Sequence, residues 1–161
     1  MSRLDSFIRR LTAQRDILNH IRRDLDLPSK GAVMEIGLGN GRTFDHLREC
    51  FSDRRIVAFD RDCRAHASSV PDAENLVLGE IKETGKAFET GTAALVHADI
   101  GTGYADRDAI TLTWLPQMVA GMLATGGIAA SGLPLEHPAL QPLTVPDSVP
   151  ANRYFLYRKI S

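Results

Sequence analysis

The sequence has few cysteines, no long apolar run and almost no net charge. Cys50 and Cys63 are its only cysteines and form no CxxC pair, so no metal or redox signature is present and the cytoplasm is the default compartment. A formal net charge of −1 gives no reason to expect nucleic acid or a membrane as partner. No apolar run is long enough to span a membrane, and the polar N-terminus does not look like a signal peptide.

The stretch from Val33 to Phe44 organises the rest of the chain. It contains an apolar run that predicts a short buried strand, then Gly37, Gly39 and Gly41, then apolar residues at helical spacing. Glycines allow a sharp turn and the close approach of a ligand, and the helix start offers free N–H groups. The pattern predicts a strand, turn and helix that bind a nucleotide-like ligand, or else a plain glycine-rich turn.

Strands and helices are predicted to alternate along most of the chain. Residues 2–25 form an amphipathic helix whose arginine-rich face we expect to be solvated. Pro116 should kink or split the helical pattern over 106–124. The other predicted helices lie at 42–50, 63–69 and 81–90, and the later strands at 55–60, 75–80, 93–99 and 128–131. This alternation predicts a parallel sheet with helices on both faces.

The C-terminal part differs because five prolines between positions 134 and 150 exclude a helix there. Residues 140–145 could form an edge strand, and 153–160 predict an antiparallel last strand. The proline-rich segment could be a lid, an arm onto a neighbouring subunit or irregular surface. We therefore expect one α/β domain with a Rossmann-like, doubly wound sheet of about seven strands. Its parts are the helix (1–27), the βα core (31–132) and the proline-rich segment with the last strands (133–161).

Acidic residues stand at or near the ends of four predicted strands: Glu35, Asp60, Glu80 and Asp99. Ligands of open parallel sheets bind at this edge, and several carboxylates favour cations and hydroxyls over a pyrophosphate. Asp60 lies 23 residues after Gly37, where dinucleotide-binding folds place an acid that holds ribose hydroxyls. The dinucleotide fingerprint itself fails, because Arg42 stands where a third small residue is needed. A nicotinamide-dependent oxidoreductase is therefore a weaker alternative.

The sequence resembles the class I S-adenosylmethionine-dependent methyltransferases, most closely small single-domain bacterial members. Residues 35–41 (EIGLGNG) look like that family's first motif, and Asp60 looks like the acid that ends its second strand. Residues 79–81 (GEI) and 123–128 (LATGGI) look like its third-strand and fifth-strand segments. These segments come in the family's order, and the resemblance covers about residues 30–160.

The resemblance implies roles for individual residues. Glu35 would hold the methionine ammonium of the cofactor, directly or through water, and Asp60 would accept from the ribose hydroxyls. Arg61 would flank the adenine, Glu80 would face its amino group, and the Ile81 backbone N–H would reach a ring nitrogen. The implied cofactor-binding set is Glu35, Gly37, Gly39, Asn40, Gly41, Asp60, Arg61, Gly79, Glu80, Ile81 and Asp99. No metal is implied.

The reaction would move a methyl group from the sulfonium to an acceptor N, O or C, and a general base is optional. Asp99 and Tyr104 are the candidate catalytic residues, whereas a histidine in an apolar strand, such as His97, is more typical of a hydrogen-bonded core residue. The fourth strand ends in ADIG rather than Asn/Asp-Pro-Pro-Tyr, which disfavours amide, guanidino-like and base nitrogens. We expect a small-molecule acceptor and a homodimer or higher homo-oligomer. A non-catalytic cofactor-binding module is the alternative.

Overall fold

The structure is a computed structural model that describes residues 1–161. Its strands are β1 (Val33–Ile36), β2 (Ile56–Asp60), β3 (Leu76–Leu78), β4 (Ala93–Ala98), β5 (Leu123–Ser131), β6 (Leu140–Leu143) and β7 (Phe155–Lys159). Its α-helices are α1 (Arg3–Asp24), α2 (Arg42–Cys50), α3 (Ile81–Thr84), α4 (Ala105–Leu112) and α5 (Leu115–Met122). Short 3-10 turns cover Ala67–Ser69, Ala73–Asn75 and Gly85–Phe88.

All seven strands join one sheet in the order β3-β2-β1-β4-β5-β7-β6. Strands β1 to β5 pair in parallel, and β7 lies antiparallel between β5 and β6. The predicted mostly parallel sheet with an antiparallel last strand is therefore confirmed. Chain order reverses between β1 and β4, so the carboxyl ends of these two strands flank the crevice where such sheets bind ligands.

The sheet is covered on both faces. On one face, Ile17 and Ile21 of α1 and Leu47 of α2 are fully buried in a cluster with Leu95 of β4. On the other face, α5 buries Met118 and Met122 in a cluster with residues of β1, β2 and β4. Burial of these apolar side chains holds the helices against the sheet and fixes the strand ends that carry the acidic residues.

Several predicted boundaries hold and others are wrong. The helical pattern over 106–124 is split, because α4 ends at Leu112 and Pro116 occupies the first turn of α5. The predicted helix over 63–69 is only the 3-10 turn Ala67–Ser69, since this segment has too few apolar residues to bury a helix. Strand β5 starts at Leu123 instead of 128, because its pairing with β4 continues across a register shift.

The N-terminal helix overhangs the sheet. Ile17 and Ile21 are fully buried, whereas Leu4 is 66% exposed and Ile8 is 52% exposed. Near the other end of the sequence, the proline-rich segment packs against the same sheet through buried side chains that include Leu135 and Val149. None of the helices combines the length and the apolar character needed to cross a membrane.

Candidate active site

The loop between β1 and α2 has the backbone conformation that its glycines predict. Gly37 has φ +91°, and a Cβ there would lie 2.5 Å from Ile100 Cγ2, so only glycine lets this turn pack on the end of β4. Gly39 has φ +53°, and no atom lies within 4 Å of where its Cβ would be. The loop therefore borders open space at Gly39, where a ligand could approach the backbone.

Asp60 is oriented by two backbone N–H groups at the end of β2. Gly39 N donates to Asp60 Oδ2 at 2.9 Å, and Arg61 N donates to Asp60 Oδ1 at 2.7 Å. Each carboxylate oxygen has further acceptor capacity, so the side chain can still accept from the two hydroxyls of a ribose. The structure thus joins the glycine loop and this acid, as the sequence predicted.

A groove of about 620 Å³ extends from Asp60 across the ends of β2 and β4. Arg61 and Glu80 form an ion pair of 3.1 Å at its rim, and Ile81 lines it at the start of α3. Ile100 and Trp114 supply apolar walls. Apolar walls beside a few polar groups suit a flat aromatic ring, so the groove has the composition of a nucleoside site.

Two predicted cofactor residues line the turns rather than the groove. The Asn40 side chain accepts from Arg42 N at 3.3 Å and so supports the start of α2. Gly79 has φ +136°, and its N–H donates to the Asp60 carbonyl at 3.0 Å.

Glu35 lies on β1 and is completely buried. It is in register with His97 of β4, and its Oε1 is 2.6 Å from His97 Nδ1. Glu35 Oε2 has no hydrogen-bond partner. The nearby Thr43 hydroxyl favours the charged carboxylate and opposes the effect of burial on the pKa of Glu35. A buried carboxylate oxygen without a partner is costly, so this oxygen can still accept a hydrogen bond from a bound cation or water.

His97 continues this contact to the C-terminal part of the chain. Its Nε2 is 2.7 Å from the Tyr154 hydroxyl, and the two rings stack with an interplanar angle of 6°. His97 is thus a hydrogen-bonded core histidine, as predicted. Tyr154 is itself buried and lines a second cavity, so a continuous chain of hydrogen bonds joins Glu35 to that cavity.

Burial and mutual charge shift the pKa values of the three residues in this hydrogen-bonded chain. Burial raises the pKa of Glu35, although His97 opposes the shift. Burial alone would lower the pKa of His97, but the Glu35 carboxylate and Asp99 together outweigh burial, and the pKa of His97 is raised. Burial, with Asp99 and Glu35 nearby, holds the pKa of Tyr154 well above its usual value. These directions favour retention of a proton between Glu35 and His97.

Asp99 stands just beyond β4 at the second cavity, which has a volume of about 350 Å³. Its Oδ2 accepts from Arg10 Nη2 at 3.1 Å and from Gln14 Nε2, both on α1. Arg10 thus departs from the solvated arginine face preferred from the sequence, because the overhanging helix brings it to the end of β4, although its side chain stays 50% exposed. Leu133, at the start of the proline-rich segment, and Arg153 complete the wall.

Tyr104 does not line the cavity at Asp99. It is 62% exposed at the start of α4, and its ring lies under the Arg107 guanidinium at 5.0 Å. The structure brings Tyr154 to Asp99 instead. Tyr154 lies 57 residues from His97 in sequence, so no local motif marks it.

Comparison with known proteins shows which family the chain belongs to. A family model described as S-adenosyl-L-methionine methyltransferase matches residues 1–159. The chain belongs to this methyltransferase family. No protein with curated functional information matches it. The methyltransferase resembles the S-adenosyl-L-methionine methyl transferase of Silicibacter pomeroyi DSS-3, with 36% identity, 99% of each chain covered and a TM-score of 0.88.

More distant structures share the fold of this methyltransferase. The geranyl diphosphate C-methyltransferase of Streptomyces coelicolor A3(2), solved with S-adenosyl-L-homocysteine, is 12% identical with a TM-score of 0.60, over 98% of this chain and 77% of that one. The antibiotic-resistance methyltransferase Kmr is 12% identical with a TM-score of 0.57, over 91% of this chain and 93% of that one. The cofactor of the methyltransferase is S-adenosyl-L-methionine.

Proposed function

We propose that this methyltransferase modifies a small-molecule acceptor bound in the cavity beside Asp99, here termed the acceptor cavity. The observation that carries the proposal is the position of that cavity. Thr102 lines both this cavity and the groove that begins at Asp60, here termed the nucleoside groove. The cavity is also lined by Asp99, just beyond β4, and by Tyr154. Its volume of about 350 Å³ falls in the usual range for small-molecule sites.

Separate parts of the chain would bind the cofactor and the acceptor. Asp60, Arg61, Glu80 and Ile81 would hold the nucleoside part of the cofactor, and Glu35 its ammonium. When bound, the cofactor supplies a methyl group activated by its sulfonium. The protein supplies position and exclusion of water. Helix α1 and the segment after β5 enclose the acceptor cavity through Arg10 and Leu133.

Polar groups in the acceptor cavity favour an acceptor that can form hydrogen bonds. Asp99 can accept from a hydroxyl or amine, and Arg153 can pair with an anionic group. The Arg153 guanidinium donates to the Ser6 carbonyl at 3.2 Å, which connects the segment before β7 to α1. These contacts would orient the acceptor atom toward the methyl group.

Transfer of radiolabelled methyl from S-adenosylmethionine into fractionated cell extract tests the proposal. We expect label in the small-molecule fraction and none in protein or RNA. An Asp99→Ala variant should bind S-adenosylhomocysteine and lose most of the transfer. Label confined to macromolecules would contradict the proposal. The homo-oligomer predicted from the sequence stays a prediction, and sedimentation velocity would measure it directly.

A further inference from the structure

The buried pair of Glu35 and His97 suggests an exchange of charge during cofactor binding. Both side chains are completely buried, and one short contact of 2.6 Å joins them. A lone carboxylate in such a place is costly, whereas a carboxylate and an imidazole that share one proton form a neutral pair. The Glu35 oxygen that His97 leaves free has no partner. If the pair kept its shared proton, a cation bound at this oxygen would leave the buried site with a net positive charge.

We propose that the ammonium of the cofactor displaces the proton shared by Glu35 and His97, so that cofactor binding releases a proton from this buried pair. The inference rests on the proposed contact between Glu35 and the ammonium. Before binding, the pair holds one proton and is neutral. After binding, the ammonium balances the Glu35 carboxylate, His97 is left neutral, and the proton passes to solvent. Total charge in the buried site is unchanged, which avoids the cost of an uncompensated charge.

Two charged groups outside the pair act on His97 in opposite directions. Asp99 faces His97 from beyond β4 and stabilises any positive charge on it. Arg10 offsets part of that effect, because its guanidinium is paired with Asp99. Gln14 of α1 and the Tyr154 hydroxyl are neutral. Apart from Asp99, the pair therefore has no carboxylate that would retain the extra proton beside the ammonium.

The exchange also changes what Tyr154 presents to the acceptor cavity. A charged His97 donates from Nε2 to the Tyr154 oxygen, so the hydroxyl proton turns elsewhere. A neutral His97 with its proton on Nδ1 accepts the Tyr154 hydroxyl proton at Nε2. The Tyr154 oxygen then has its lone pairs available to a hydroxyl or amine in the cavity. Cofactor binding would thus prepare Tyr154 to accept a hydrogen bond from the acceptor.

Calorimetric titration in buffers of different ionisation enthalpy measures protons released on binding. The two probes are S-adenosylhomocysteine and 5′-methylthioadenosine, which has the same nucleoside and thioether but no ammonium. Near pH 7 we expect about one proton released with the first probe and none with the second. Equal release with both probes, or none with either, would overturn the inference even if both bind. If S-adenosylhomocysteine does not bind, the cofactor contacts proposed above fail as well.

Variants test whether the proton comes from this pair. Glu35→Gln removes the carboxylate that shares the proton, so S-adenosylhomocysteine should bind this variant with much reduced proton release. Tyr154→Phe is the matched control, because it alters the same hydrogen-bond chain but keeps both groups that share the proton. Undiminished release from a folded Glu35→Gln protein would overturn the inference. If that variant does not fold, the comparison of the two probes on the unaltered protein decides by itself.

Discussion

The Arg10 guanidinium lies 3.1 Å from the Asp99 carboxylate, although 89 residues separate them in sequence. Arg10 comes from the part of α1 that overhangs the sheet, and Asp99 follows β4 at the crevice. Gln14, one helical turn further along α1, donates to the same oxygen. The first helix is thereby part of the acceptor cavity as well as of the core.

Arg10→Ala should lower methyl transfer to the acceptor with little effect on stability. The Arg10 side chain is 50% exposed, and ion pairs at such positions contribute at most about 1 kcal/mol to the free energy of unfolding. Urea denaturation and the transfer assay measure the two effects. Arg9→Ala is the control, because Arg9 is exposed and does not line the acceptor cavity. Equal loss of transfer in both variants would argue against a specific role for Arg10.

Asp60→Ala should weaken the binding of S-adenosylhomocysteine by about 1–3 kcal/mol, because two ribose hydroxyls and the Gly39 N–H would lose their acceptor. Calorimetric titration gives the value directly. Asp62→Ala is a suitable comparison, since Asp62 is exposed on the same loop and pairs only with Arg64 at 3.8 Å. If Asp60→Ala binds as tightly as the unaltered protein, Asp60 does not contact the cofactor.

Gly39→Val should abolish binding of S-adenosylhomocysteine while the protein stays folded. Its side chain would project into open space next to Asp60, and backbone strain at positive φ costs about 1–2 kcal/mol. Gly126→Val separates the two effects, because Gly126 also has positive φ and an open Cβ position but lies outside the site. Thermal unfolding and calorimetry should show similar destabilisation in both variants and lost binding in one. Normal binding by Gly39→Val would mean that the loop does not touch the cofactor.

The free energy of unfolding should fall as pH rises above 6.5 in the absence of cofactor. His97 keeps its proton in the folded protein to higher pH than an ordinary histidine, whose pKa is 6.5. The stability from this proton is therefore complete below pH 6.5 and is lost as pH rises through the folded pKa. Thermal unfolding between about pH 6 and about pH 9 follows the change. His97→Gln should show a shallower decline, and parallel curves would contradict the assignment.

The sequence predicted the parts of the site that belong to one strand and its following turn. Gly37 and Gly39 follow β1 directly, and Asp60 ends β2, so local pattern and the geometry of parallel sheets bring them together. The fold was predictable for the same reason, since apolar strands alternate with amphipathic helices.

The acceptor side was not predictable in the same way. Gln14 reaches Asp99 across 85 residues, and its position follows from how far α1 overhangs the sheet. The helical spacing of apolar residues places Leu4 and Ile8 on the same face of α1 as Ile17, yet Leu4 and Ile8 are exposed and Ile17 is buried. Tyr154 precedes the last strand and meets His97 only because β7 inserts beside β5. Such contacts depend on tertiary packing that one sequence does not reveal.

The overhang of α1 has a practical consequence for handling the protein. Ser2 caps the helix through Asp5, with Asp5 N donating to the Ser2 hydroxyl at 3.0 Å, so the very first residues set the position of Arg10. An affinity tag fused directly before these residues would displace Arg10 from the wall of the acceptor cavity and lower methyl transfer without unfolding the protein. At the other end, Ile160 follows β7 and is 53% exposed, and it lines neither cavity. A purification tag placed after β7 is therefore farther from the acceptor cavity than one placed before α1.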